Sequence, residues 1–447
     1  MTVPDRNLAA INNTVAETPI EVEIHPSKKG PPTMKVNGHY LYSRYDPWKE
    51  AERFIESQID RDANHYCLFG LGLGYHVQKL LEKEPNKQIV VLEPSLSILQ
   101  KAAEHMDLSY IFSHPNVEIF FLDQEQSVIG TLNELAKQHT RWIIPNAWLK
   151  ALPPTYPLKW FFEEIKIQDM SFQRFSALME RNFKENVKCM DPNVGKLFAK
   201  FNDQKAVLVS AGPSLDEVVH SLQKLQNKYF ILSVGSAFQV LKANRIAPDA
   251  VIITDPQEFV CQQLEGLDDT LTLLYLSTAC RFAVANHKGP RMIAFQKGYL
   301  QAERYARQKQ FPLVDTGGSV ATAALDLLIK MGFSEIVLAG QDLAYGKNKS
   351  HALHSTSGID VASNENLLSV QANDGTIVKT TTILSIYRRW FERKVAETQH
   401  VTFQNTAEKG AVIQGVPFVH ISQIVSQSEH LMTCNFKEKL QRIINQC

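Results

Sequence analysis

The residues best placed to do chemistry stand at the ends of apolar runs. In AVLVSAGPSLDEVVHSL, from Ala206 to Leu222, the run Ala206 to Val209 reads as a buried strand. Leu215, Val218, Val219 and Leu222 then form one side of a helix. Between them, Gly212 has no Cβ and lets the backbone approach a ligand. Pro213 suits a helix start, where an N–H has no partner. Asp216 and Glu217 fill the first turn, as the helix dipole favours. A strand, a glycine turn and a helix N-terminus together make an anion site. A tight turn alone leaves the same signature, so the other strand ends matter. Gly235 and Ser236 follow the run Phe230 to Val234, and Asp255 and Gln257 follow Ala250 to Ile253. Gln341 and Asp342 follow Glu335 to Ala339. A second glycine turn, Thr316-Gly317-Gly318-Ser319, leads into a helix of Val320 to Met331. Open α/β sheets bind ligands at the carboxyl ends of their strands. These residues, with Ser214, are therefore expected to share one crevice.

The elements that must position them alternate strand with helix at short intervals, which argues a parallel α/β sheet. A similar pattern precedes it. Asn37-Gly38 marks a hairpin. Tyr66 to Phe69 and Ile89 to Leu92 are strands, joined through Gly70-Leu71-Gly72-Leu73-Gly74 and a helix, with Glu93 closing the second. That unit resembles the nucleotide-binding half of a Rossmann fold and a methyltransferase turn, although its glycine spacing is not the dinucleotide fingerprint, and a Rossmann-like domain that keeps the turn and binds nothing fits the residues at least as well. Pro153-Pro154 breaks the pattern, and the aromatic run from Trp160 implies one or two helices. Arg174, Arg181 and Lys184 there read as a solvated helix face.

The expected fold class is α/β: two Rossmann-like parallel-sheet domains in tandem, a helical connector and a mostly helical C-terminal region. The expected divisions are 1–150, 151–203, 204–350 and 351–447. Residues 343–380, with His351 and His354, read as a long loop or lid. Residues 1–19 read as a loose tail.

Composition narrows the function classes. The chain of 447 residues holds 47 basic and 47 acidic side chains, so its formal net charge is zero. That is not the footprint of a nucleic-acid binder. No apolar run is long enough for a membrane span, and the N-terminus lacks a signal-peptide core. The six cysteines have no metal-ligand spacing. A cytoplasmic setting is expected.

AGPSLDE, PDAVIITDPQ, DTGGSVATAALDLLIKMGF and AGQDLAYGKNKSHA occur here in order. NGHYLYSRYDPWKEA precedes them and FQNTAEKGAVIQGV follows. The set resembles the motility-associated factor (Maf) proteins over most of the chain. The resemblance implies a flagellin glycosyltransferase that moves a nonulosonic acid, pseudaminic or legionaminic, from a CMP-activated donor to Ser or Thr of flagellin. It also implies a central domain similar to bacterial sialyltransferases and to a hydroxymethylpterin pyrophosphokinase. On that reading Asp255 and Asp342 are the first candidates for base or metal ligand, and His351 the third. Gly212 to Leu215 would take the donor phosphate, and Thr316 to Ser319 the carboxylate or cytidine. A divalent metal is compatible with the aspartates, although Thr-Asp-Pro-Gln is not the two-aspartate motif of nucleotide-sugar enzymes. No cofactor beyond the donor is called for.

Plainer readings stand beside these. Asp255 before Pro256 could stop a strand, Asp342 could cap a turn, and the two histidines could be surface residues. The competing functions are a pyrophosphokinase using ATP, a methyltransferase built on Gly70–Gly74, and a flagellin-binding protein without chemistry. Tyr387, Trp390 and Phe391 share a helix, for which packing is the simpler role. Asn405 and Glu408 have no assigned role.

Overall fold

A computed structural model describes residues 20–60, 63–122, 140–153, 156, 159–346, 351–355 and 367–445. The tail at 1–19 and much of the expected lid, 347–350 and 356–366, lie outside the described residues. The chain divides into two compact units, 1–170 and 171–447.

In the first unit, a hairpin-linked sheet is formed by β1 (Val22–His25), β2 (Thr33–Val36) and β3 (His39–Tyr40). Helix α1 (Pro47–Glu56) starts where Asp46 accepts from the Lys49 N–H at 3.0 Å, with proline in the first turn. Four parallel strands follow: β4 (His65–Phe69), β5 (Gln88–Glu93), β6 (Val117–Phe121) and β7 (Thr140–Ile143), in the order β6-β5-β4-β7. The order reverses beside β4, where such sheets hold ligands.

Here the protein fills that place itself. Glu93, fully buried, accepts from the N–H groups of Leu71 and Gly72 at 2.7 and 3.3 Å. The Tyr42 hydroxyl donates to the Leu71 carbonyl at 3.1 Å. Gly70 has φ +84°, and a Cβ there would stand 2.1 Å from the Trp148 indole. The turn that suggests a nucleotide or methyl-donor site is thus closed by a carboxylate, a phenol and an indole. Its glycines serve packing.

A 30-residue helix, α2 (Lys159–Lys188), is continuous where the sequence suggests one or two. Lys184 pairs with Glu180 at 2.6 Å on its exposed side, as a solvated face requires.

The second unit is built on eight parallel strands: β8 (Lys205–Val209), β9 (Phe230–Val234), β10 (Ala250–Ile253), β11 (Thr272–Leu276), β12 (Arg291–Gln296), β13 (Leu313–Val314), β14 (Glu335–Ala339) and β17 (Thr402–Asn405). Their order is β13-β12-β11-β10-β9-β8-β14-β17. Strands β8 to β10 are near-continuous apolar runs, as burial on both faces demands. Helices α3 (Leu215–Leu222), α4 (Gly235–Ala243) and α5 (Val320–Met331) follow β8, β9 and β13. A small antiparallel hairpin, β15 (Leu368–Gln371) and β16 (Ile377–Thr380), lies within the expected lid and leads to α6 (Thr382–Ala396). Phe201, Phe230 and Phe333 pack with centroids 5.0 to 5.5 Å apart in the core. Each such side chain contributes about 1.5–3 kcal/mol on burial. The edge strand β17 comes from residues 402–405, in a stretch that the sequence marks as extended, and its pairing with β14 adds it to the sheet. No described helix is long and apolar enough to cross a membrane.

Candidate functional site

The order of the large sheet reverses between β8 and β14, and a cleft of about 690 Å³ opens at their carboxyl ends. Gly212, Ser236, Asp255, Gly318, Ser319, Gln341, Asp342 and His351 line it. The structure therefore brings together residues more than 100 positions apart in the chain. Pro213, Ser214, Gly235, Gln257, Thr316 and Gly317 do not line it. Several of these act from behind.

Asp342 is buried, and its carboxylate is turned onto the start of α3. Oδ2 accepts from the Ser214 hydroxyl at 2.8 Å, and Oδ1 accepts from the Ser214 N–H at 3.1 Å. A Cβ on Gly212 would stand 2.1 Å from Oδ2, so the glycine is required by this carboxylate. The Gly212 N–H donates to the Gly340 carbonyl and the Leu215 N–H to the Gly212 carbonyl. Pro213 has none to give. The amides assigned to a phosphate in the sequence are thus spent inside the protein. Burial pushes the Asp342 carboxyl up to about 7, with help from the charge of Glu217.

Asp255 is held differently. Oδ1 accepts from the Gln257 N–H at 2.8 Å. Oδ2 has no hydrogen-bond partner among the described residues. The Asp255 carbonyl accepts from the Cys280 N–H. Asn182 on α2, buried, donates to the carbonyls of Pro256 and Thr278, which fixes the loop that carries Asp255. Burial raises the Asp255 carboxyl above the usual carboxylate range.

The second glycine turn is rigid. Ser319 and Thr322 form a capping box at the start of α5. The Gly317 N–H donates to the Thr322 hydroxyl at 2.9 Å. A Cβ on Gly317 would stand 2.4 Å from Trp390 Cγ, so the turn and α6 meet there without room for a side chain. Fully buried Asp326 accepts from the Asp315 N–H and pairs with Lys330 and Lys394 at 2.6 and 2.5 Å. It ties the turn, α5 and α6 together. First-turn amides of a helix have no carbonyl within it to bond, and Ser319, Val320 and Ala321 line the cleft. The positive ends of α4, at Ser236, and of α6, at Thr381 to Leu384, face the cleft as well, so α5 is one of three helix termini there that can meet an anion.

Tyr387 is the residue that sequence reasoning undervalued. Trp390 and Phe391 are core residues, as expected, yet Tyr387 lines the cleft against Gly318. Burial and the nearby charge of Asp255 raise its phenol. Helical spacing gave no such signal, since Tyr387 shares a face with Trp390 and Phe391; what separates it is its place nearer the start of α6, which lines the cleft. His351 is anchored by its neighbours. The Ala352 N–H donates to the Ala211 carbonyl at 2.9 Å, and the Leu353 N–H to Asp216 at 2.9 Å. Burial lowers the His351 imidazole, which favours its neutral form. Asn405, fully buried, reaches the Gln341 carbonyl at 3.5 Å, and the Ala411 N–H donates to the Asp342 carbonyl at 2.7 Å. The tail motif thus secures the end of β14.

Among the described residues, no Lys or Arg lines the cleft, and no three His, Cys, Asp or Glu side chains gather as metal ligands do. Asp255 presents a carboxylate to the cleft. Asp342 spends its carboxylate on Ser214.

The family model described as "Glycosyltransferase Maf N-terminal domain" matches residues 6–146. The model described as "6-hydroxymethylpterin diphosphokinase MptE-like" matches residues 179–348. An uncharacterized protein of Treponema pallidum (strain Nichols) is 23% identical over 212 residues, covering 45% of this chain and 72% of that one. A second from the same strain is 23% identical over 348 residues, and the match spans 72% of this chain and 59% of the relative. Among solved structures, a MAf glycosyltransferase from Magnetospirillum magneticum AMB-1 shares the fold with a TM-score of 0.50 at 15% identity, over 99% of this chain and 78% of that one.

Proposed function

We propose that this chain, which belongs to the Maf family, transfers a nonulosonic acid from a CMP-activated donor to a Ser or Thr hydroxyl of flagellin. The observation that carries the reading is the cleft at the reversal of the large sheet, in a chain whose first domain matches the Maf glycosyltransferase model. The bond from the anomeric carbon to the phosphate oxygen breaks, and CMP leaves with the electron pair. The sugar passes through an oxocarbenium-like state. The acceptor oxygen bonds to the anomeric carbon and loses its proton to a base. Asp255 is that base in this reading, since one of its oxygens faces no partner and burial raises its basicity. The first turn of α5 receives the leaving phosphate, and Tyr387 and His351 close the cleft beside it. Asp342 organises the turn at Ser214 and does not take the proton.

The test is intact mass of flagellin from cells lacking the protein, complemented by wild type or by Asp255→Asn. Loss of mass in nonulosonic-acid-sized steps, restored by wild type alone, supports the reading. Restoration by the variant removes Asp255 from catalysis. Unchanged flagellin mass in the deletion sinks the transfer itself and leaves a flagellin-binding role without chemistry.

A second reading, diphosphate transfer from ATP to a pterin alcohol, is favoured by the MptE-like match at 179–348. It needs metal-bound phosphates. Among the described residues the cleft offers only Asp255 as an uncommitted carboxylate. Thermal stabilisation by CMP and not by ATP with Mg²⁺ supports the first reading, and the reverse supports the second.

A further inference from the structure

The first unit contains a cavity of about 690 Å³ that has no part in the reading above. Its walls come from the segment SRYDPWKEAERF and the turn at Lys29. The N–H of Lys29 donates to the Tyr45 carbonyl at 2.7 Å, and that of Lys28 to the Arg44 carbonyl at 3.0 Å, so the turn is fixed against the segment. Lys29, Lys49 and Arg53 stand round the opening, the last two one helical turn apart on α1.

None of the three has an ion-pair partner among the described residues. Several other cations in the same unit are paired: Lys35 with Glu23, Lys79 with Glu82 and Lys83 with Glu56. Two acids share the lining with them, so three cations stand against two carboxyls. Asp46 is occupied as the cap of α1. Glu50 turns inward, with Oε2 buried and without a hydrogen bond, and burial raises its carboxyl.

We infer that this cavity is a second binding site, for a sugar-sized molecule that carries one anionic group, phosphate or carboxylate. The three cations would take the anion, as charge-assisted hydrogen bonds favour. The Ser43 hydroxyl would meet a hydroxyl on its body. The volume suits one small ligand and no folded partner.

The test is calorimetric titration of the full chain with glucose 1-phosphate, N-acetylneuraminic acid, inorganic phosphate and glucose. The first two distinguish a phosphate from a carboxylate as the anion. At least one should bind saturably, more tightly than inorganic phosphate, and glucose should not bind. In the Lys49→Ala/Arg53→Ala variant, affinity for that ligand should fall by about tenfold or more, since two charge-assisted bonds are lost. Both side chains are exposed, so the variant keeps its fold, which an unchanged melting temperature verifies. The Asp255→Asn variant should bind as wild type does, because the two sites share no residue. Equal affinity in wild type and in the double variant, or no saturable binding of either anionic sugar, overturns the proposal.

Discussion

Replacing Asp342 by Asn should stabilise the second unit, and by more as the pH rises. The wild-type carboxyl is raised from 3.8 to about 7 by burial. A carboxyl raised in the fold is stabilising in its protonated form. Its contribution is intact below the unfolded value, near 3.8, and is lost as the pH climbs through about 7. The gap is roughly three pH units, each worth about 1.4 kcal/mol, so the loss is on the order of 4 kcal/mol. Asparagine has the same shape, keeps an acceptor for the Ser214 N–H and has no charge to bury. The difference in melting temperature between Asp342→Asn and wild type should therefore be small at pH 4, where little of the gap has been crossed, and widen by roughly 8 °C by pH 8, taking about 2 °C per kcal/mol for a unit of this size. Asp249 is also raised to about 7 by burial, but it is present in both proteins and cancels. Scanning fluorimetry in matched buffers gives the comparison, and infrared absorption of a protonated carboxyl, lost in the variant, identifies the group. A flat difference from pH 5 to 8 would refute the account of a carboxylate held at Ser214 in low dielectric. Transfer activity adds a second arm. A positioning role leaves it within about tenfold in Asp342→Asn, whereas a base role removes the 10²–10⁴-fold that such a group typically contributes.

Other expectations follow from close approaches of the backbone. Gly317→Ala places a Cβ 2.4 Å from Trp390 and should cost about 1–3 kcal/mol, read as a lower melting temperature, while also weakening CMP binding. Gly70→Ala combines an approach of 2.1 Å to Trp148 with a φ of +84°. It should destabilise the first unit by about 3 kcal/mol, seen as faster amide exchange in residues 65–93, with exchange at the cleft residues unchanged. S-adenosylmethionine should produce no stabilisation in wild type, because Glu93 already occupies the amides of Leu71 and Gly72. Binding of that cofactor at a stoichiometric site would contradict the self-filled turn.

Much of this protein is fixed by local sequence. Apolar β-branched runs ending in small or polar residues set the parallel strands, and the strand ends marked most of the cleft: Gly212, Ser236, Asp255, Gly318 and Gln341 are all there. A strand's carboxyl end is a chain-local fact, and parallel pairing brings such ends to one edge. What the chain could not state locally was which groups face each other across that edge. The start of α3 reads as an anion site, yet Asp342, 128 residues after Ser214, supplies the anion from within. The Gly70–Gly74 turn reads equally as a nucleotide site or as a turn that binds nothing, and Glu93, Tyr42 and Trp148 fill it. Tyr387 reads as packing, yet the rigid seat of α6 on Gly317 turns it into the cleft. The edge strand β17 is extended by its sequence, yet its place beside β14 follows only from the pairing. Backbone conformation follows from short-range sterics and periodicity, which a sequence carries. Whether a donor is free or spent depends on a partner far along the chain, and only the folded structure decides that.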